Sequence, residues 1–157
     1  MSVLVLVEGV SDRGFVEGIA KRVGVAVSVR ELQGNRPDKV KRLIEALRAE
    51  KVFVLKDEHR YPDAAEHVER ELKNRAVVVR VKCSLESWIL IGLHAEGFET
   101  CDDPVKRMRE VLARKGYAKV VLKSRALYKR LAEEVDIERL KERCSAFREF
   151  LKALTGR

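Results

Sequence analysis

Sulfur chemistry is scarce in this chain: three cysteines, Cys83, Cys101 and Cys144, and two methionines. The cysteines are odd in number, widely spaced and form no C-x-x-C pair, so neither a disulfide framework nor a zinc ribbon is expected. Free thiols suit a reducing cytosol. No apolar run approaches the roughly 18 residues that span a bilayer. The longest, Trp88 to Leu93, is a third of that, and no membrane association is expected. Neither a basic n-region nor a cleavage site precedes the apolar pattern that starts just after Met1, so export is not expected and the cytoplasm is. Neither G-x-G-x-x-G nor G-x-x-x-x-G-K-[S/T] occurs, which removes the glycine-loop nucleotide sites. No histidine stands at readable spacing from Cys83-Ser84, which argues against nucleophilic catalysis. Only one Gln and two Asn stand among many Lys, Arg and Glu, a bias that fits a thermophilic source.

What is present is globular. The 157 residues predict one compact domain that can bury a sizeable core without staples. At 46% hydrophobic and 37% charged, the composition is not that of a disordered chain. Thirty-three basic and 25 acidic side chains leave a net charge of +8. That excess favours a polyanion such as nucleic acid, although scattered basic residues also keep small proteins in solution. No block of five or more basic residues forms a binding tail.

The apolar pattern alternates between two periods. Val3 to Val7 is a continuous β-branched and Leu run of the kind buried on both faces of a parallel sheet. Glu8-Gly9 ends it, and Ser11 and Asp12 are candidate N-caps for a helix carrying Phe15, Val16, Ile19, Ala20 and Val23. Val25 to Val29 reads as a second strand, and Pro37 opens a helix with the stripe Val40, Leu43, Ile44 and Leu47. Val52 to Leu55 is a third strand, closed by Lys56-Asp57-Glu58-His59-Arg60. Pro62 opens a helix with Ala65, Val68 and Leu72; Ala76 to Val81 is a fourth strand; and a strongly apolar helix follows Ser84.

This strand–helix alternation predicts an α/β fold: a mostly parallel, four- to five-stranded Rossmann-like sheet with helices on both faces. Residues 1–97 form that core. Residues 98–157 read as a helical C-terminal extension packed on the same domain, since no linker composition separates them. In it, Asp102-Asp103-Pro104 starts a helix that stops at Gly116, and Ala118 to Leu122 is a candidate short edge strand. One helix around Leu127 to Val135 and another from Ile137 to Leu154 close the chain.

Sites in parallel sheets form at the carboxyl ends of the strands. There the sequence places Glu8, Asp57 and, just after strand four, Glu86. Carboxylates gathered on one edge repel each other unless a cation lies between them, and an all-oxygen donor set suits Mg²⁺ or Mn²⁺. The alternative for each is a solvated strand-end acid. Asp12 is either a helix cap or a ligand. Glu86 is either a first-turn acid near the positive helix end or a site carboxylate. Arg13, Lys56, Arg60 and Lys82 fall near the same edge, either to hold phosphates or as counter-charges to the acids. Trp88 falls on the apolar stripe of its helix and reads as core.

The stretch Val7-Glu8-Gly9-Val10-Ser11-Asp12-Arg13, followed by Phe15, resembles the E-G-x-x-D opening of Toprim domains. The likeness is closest to overcoming-lysogenization-defect nucleases and small stand-alone Toprim-like proteins. In that family a glutamate follows strand one and a D-x-D pair follows strand three, the places of Glu8 and Asp57. Ser84-Leu85-Glu86-Ser87-Trp88 resembles the E-x-W helix of the small members, and Cys144 to Phe150 with Leu154 resembles their closing segment. His59 stands where the family has its second aspartate. Histidine ligates Mn²⁺ or Zn²⁺ and is a poor Mg²⁺ ligand, so His59 is either a ligand or a loop residue. Glu58 should point the other way if the segment is extended.

The resemblance implies a divalent-metal-dependent phosphodiesterase or phosphotransfer protein acting on nucleic acid, DNA ahead of RNA. Glu8 and Asp57 would be catalytic, and Glu8, Asp12, Asp57, His59 and Glu86 would hold Mg²⁺ or Mn²⁺. Arg13, Lys56, Arg60 and Lys82 would contact phosphate. The alternative is a Toprim-like module that binds nucleic acid or protein without cleaving. A phosphoacceptor receiver fits less well, because no acidic pair follows strand one and no strand five ends in lysine.

Overall fold

The computed structural model describes residues 2–32, 36–58, 62–82, 84–95, 104–117 and 124–156. Four parallel strands, β1 (Val3–Val7), β2 (Ser28–Glu31), β3 (Lys51–Asp57) and β4 (Val77–Val81), form one sheet in the order β2-β1-β3-β4. Between them run α1 (Val10–Arg22), α2 (Pro37–Leu47) and α3 (Pro62–Leu72). After β4 come α4 (Leu85–Gly92), α5 (Pro104–Arg114), α6 (Arg125–Glu134), α7 (Ile137–Arg143) and α8 (Ser145–Thr155). The chain is therefore α/β with a sheet that is all-parallel among the described residues. None of the described helices is long and apolar enough to cross a membrane.

Strand parity explains the two layers. Val3, Val5, Val7, Phe53, Leu55, Val79 and Val81 face one core, which they share with α1, α4 and the helices from Pro104 onward. Leu4, Leu6, Val52 and Val54 face the other, which α2 and α3 cover with Val40, Val68 and Leu72. The central strand β1 is buried at every position, as its continuous apolar run requires.

On the first face, α1 and α6 lie side by side with the same polarity. A Cβ on Gly14 would stand 2.0 Å from the Arg125 carbonyl oxygen, and one on Gly18 would stand 2.6 Å from the Ala132 Cβ. Only glycine permits that approach. Further along, Arg22 donates to the Ala132 and Val135 carbonyls at 2.8 and 2.6 Å. It thereby satisfies carbonyls left free at the end of α6. On α8, Phe147 meets Trp88 edge-on at 5.2 Å between centroids, and Phe150 meets Phe53 at 6.1 Å. Trp88 is 3% exposed, a core residue as expected.

Several boundaries differ from the sequence expectation. The second strand is Ser28–Glu31, not Val25–Val29, because its ladder with β1 pairs Leu4 with Ser28 and Val7 with Glu31. Val25 and Val27 instead flank the first core from the connecting segment. Neither Ser11 nor Asp12 caps α1; the helix starts at Val10 with Gly9 in extended conformation at the N-cap position. The last helix is broken in two at Cys144, whose φ of −123° and ψ of 99° are extended. That bend turns α8 so that Phe147 and Phe150 meet the aromatic core. β3 runs on through Lys56 and Asp57, which belong to the strand and not to the loop after it. The candidate edge strand at Ala118–Leu122, the Asp102-Asp103 cap, Cys83, Cys101, His59 and Arg60 lie outside the described residues.

Candidate functional site

Parity decides where each strand-end group emerges. The β1–β3 ladder pairs Leu6 with Val54, so one pleat further on Glu8 stands opposite Lys56, on the face covered by α2 and α3. Asp57, one residue later, leaves toward the face covered by α1 and α4. The Glu8 carboxylate closes over the strand ends. One oxygen, Oε1, is ion-paired with the Lys56 ammonium, and the other accepts the Asp57 backbone N–H at 3.1 Å. Lys56 is 5% exposed and is the buried cationic side chain among the described residues.

Around Asp57 the charge is of one sign. Asp12, in the first turn of α1, and Glu86, in the first turn of α4, are both buried. The Asp12 Oδ2 lies against Gly9, 3.8 Å from where a Cβ there would stand. Burial pushes the Asp57 carboxyl up to about 9, with the charges of Asp12 and Glu8, a hydrogen bond to Glu8 and the charge of Glu86 adding in that order. Burial is the main cause and the neighbouring carboxylates add to it, so both favour the protonated form of Asp57.

A further member comes from the C-terminal helices. Tyr128 of α6 is buried, and its hydroxyl donates to Glu86 Oε1 at 3.2 Å and lies 3.9 Å from Met108 Sδ. Burial, then the charges of Glu86 and Asp12, hold this phenol protonated far above its usual range. It is a fixed neutral donor aimed at the acids. The sequence carried no signal for it, since Tyr128 sits more than forty residues from Glu86 on an ordinary amphipathic stripe. Only the glycine-mediated seating of α6 on α1 brings it in.

The expected site residues separate accordingly. Glu8, Asp12, Asp57 and Glu86 come together, with Lys56 among them. Glu58 does point elsewhere: it pairs with Arg80 at 2.6 Å. Arg13 spans to Glu31 at 3.5 Å and Glu17 at 3.9 Å, so both it and Lys56 are engaged as counter-charges. Lys82 is exposed on the segment after β4, and its carbonyl accepts the Ser87 hydroxyl at 3.1 Å.

Four carboxylates are the right donor chemistry for a hard divalent ion. As they stand, no group of three or more His, Cys, Asp or Glu among the described residues is arranged to hold one. Mg²⁺ needs no such cage: it keeps several waters and takes one or two carboxylates plus substrate phosphates. Protein-family models, curated proteins and solved structures offer no match to this chain.

Proposed function

We propose that this chain is a Toprim-like, divalent-metal-dependent phosphodiesterase acting on nucleic acid. One observation carries the reading: Glu8, Asp12, Asp57 and Glu86, delivered by four different elements, converge at the carboxyl edge of a parallel sheet. Asp12 and Glu86 are buried beside the half-buried Glu8 and Asp57, and gathering like charges in this way is costly without a shared task. One or two carboxylates of the set Glu8, Asp12, Asp57 and Glu86 would hold the ion, which when bound supplies positive charge to phosphoryl oxygens. Glu8, which accepts the Asp57 backbone N–H, would take up or give a proton at the reacting oxygen. Tyr128 fixes the Glu86 carboxylate. Arg13 and Lys82 border the edge with positive charge, and the overall excess of +8 favours the polyanion.

The test is cleavage of supercoiled plasmid and of single-stranded DNA with Mn²⁺ or Mg²⁺ against an EDTA control. Glu8→Gln and Asp57→Asn should each lower the rate by at least about a hundredfold, the range for loss of acid–base or charge-stabilising groups. Circular dichroism must show both variants folded. Undiminished cleavage by folded Glu8→Gln would overturn the reading.

A second reading, a nucleic-acid-binding module that does not cleave, is favoured by one feature: both Glu8 oxygens are already engaged by this chain's own groups. DNA binding that weakens steeply with salt, with no turnover in any divalent ion, would select it.

A further inference from the structure

We propose that α5 and the first two turns of α6 form the surface that grips the nucleic-acid backbone. The inference rests on the nucleic-acid part of the reading above and needs no metal ion.

The positive charge of the chain is concentrated there. Residues 104–130 hold ten basic side chains and one acidic, Glu110. The other 130 residues carry 23 basic and 24 acidic, so the whole excess of +8 belongs to this stretch. Basic residues kept only for solubility would be interspersed with acids, as they are elsewhere in the chain. The fold then turns them outward: Met108 and Leu112 of α5 and Tyr128 of α6 are buried, while Lys106, Arg109, Arg114, Lys115, Lys129 and Arg130 are exposed. Two contacts hold the helices side by side. The Tyr128 hydroxyl lies 3.9 Å from Met108 Sδ, and the Arg130 guanidinium sits 5.3 Å from the centre of the Tyr117 ring. Because Tyr128 also donates to Glu86, the basic surface adjoins the acid cluster at the strand edge.

The kind of partner follows from what this surface lacks. The exposed large apolar side chains among the described residues are Val10, Leu47 and Val77, none of them on α5 or α6. A protein partner would need an apolar centre to the patch, and a membrane surface would need an apolar face to insert. A phosphate backbone needs neither, because cations hold it and its counterions are released.

The experiment is fluorescence anisotropy of a labelled single-stranded DNA and of its duplex, in EDTA, at salt from about 50 to about 200 mM. The triple variant Arg109→Gln, Arg114→Gln, Lys115→Gln is compared with Lys39→Gln, Lys73→Gln, Lys152→Gln, which removes the same charge from exposed positions elsewhere. The α5 triple should bind at least about tenfold more weakly at the lower salt, and the slope of log affinity against log salt should flatten by about 2–3. The control triple should bind close to wild type. Equal weakening by the two triples would overturn the surface and leave nucleic acid as the partner. No DNA binding by wild type would overturn both. Binding of wild type to phosphatidylserine vesicles or polyglutamate in place of DNA would overturn them in favour of a membrane or an acidic protein. Should the α5 triple not fold, wild type suffices: amine-reactive labelling read by mass spectrometry should find Lys106, Lys115 and Lys129 protected by DNA, and Lys39, Lys73 and Lys152 not. Equal protection of the two sets would overturn the surface.

Discussion

The two faces of the sheet are built differently. The face under α1, α4 and α5–α8 holds the fully buried aromatic rings among the described residues, Phe15, Tyr128, Phe147 and Phe150, and brings two helices into contact through glycines. The face under α2 and α3 is aliphatic and small; Lys41–Glu71 at 3.4 Å joins its helices at the surface, and Arg75, in the turn after α3, pairs with Glu45 of α2 at 2.5 Å. The site straddles the boundary between them. Its ion-paired half, Glu8 with Lys56, belongs to the thin face; its hydrogen-bonded half, Asp57, Asp12, Glu86 and Tyr128, belongs to the thick one. A sheet that sends consecutive residues Lys56 and Asp57 to opposite sides can therefore offer a cation and an acid to one edge without pairing them with each other.

Crowding the thick face should have the largest effect. Gly14→Val would drive a Cβ against the Arg125 carbonyl, a backbone atom that cannot turn aside. The helices must part, at a cost of at least about 3 kcal/mol. For a domain of this size that is a fall in melting temperature of about 6–12 °C. Because Tyr128 travels with α6, emission of the single tryptophan, Trp88, should shift to the red and the donor to Glu86 should be lost.

Leu72→Ala tests the thin face. Leu72 is fully buried, and its truncation should cost about 2–3 kcal/mol, the lower part of the range for such sites, since the small cluster can collapse around the gap. Native Trp88 emission should stay unchanged. A red shift equal to that of Gly14→Val would mean that the faces do not respond separately.

Tyr128→Phe sharpens the comparison at the site. It keeps the ring in the core and removes the hydroxyl that donates to Glu86, so a buried carboxylate loses a donor. A loss of about 1.5–3 kcal/mol is expected in denaturant melts without added ion, as for hydrogen bonds to charged groups. Saturating Mn²⁺ should recover part of it if Glu86 serves the ion. A loss of equal size with and without Mn²⁺ would mean that the hydroxyl serves the fold and not the ion.

How far these features could be read from the chain depends on their range. β1, β3 and β4 announce themselves through near-continuous Val and Leu runs, and the edge position of Glu8 and Asp57 follows from strand order alone. The pairing of Lys56 with Glu8 needs the register, which no local pattern supplies; the sequence left Lys56 open between phosphate contact and counter-charge. β2 misled because Val25 to Val29 is apolar for two reasons, two valines flanking a core from outside the sheet and one inside it. The break at Cys144 has no Gly or Pro to mark it, and tertiary packing of Phe147 and Phe150 decides it. Tyr128 was invisible because its role depends on a helix contact made by Gly14 and Gly18 far upstream.

The smallest effect should come from the surface of the α1–α6 seam, where Arg125 grips Glu17 with Nε at 2.7 Å and Nη2 at 2.6 Å. That bond to Arg125 holds the Glu17 carboxyl below its ordinary value of 4.5, against the opposing effect of burial. A carboxyl whose folded value is depressed stabilises the fold above its unfolded value and ceases to do so as the pH falls through the folded one. Glu17→Gln should therefore lower the melting temperature by only about 2 °C at pH 7. The gap between variant and wild type should narrow as the pH falls below the ordinary value of 4.5, close once the depressed folded value is passed, and shrink with added salt. A gap that persisted in acid would assign the contribution to the apolar stems of the two side chains and not to their charges.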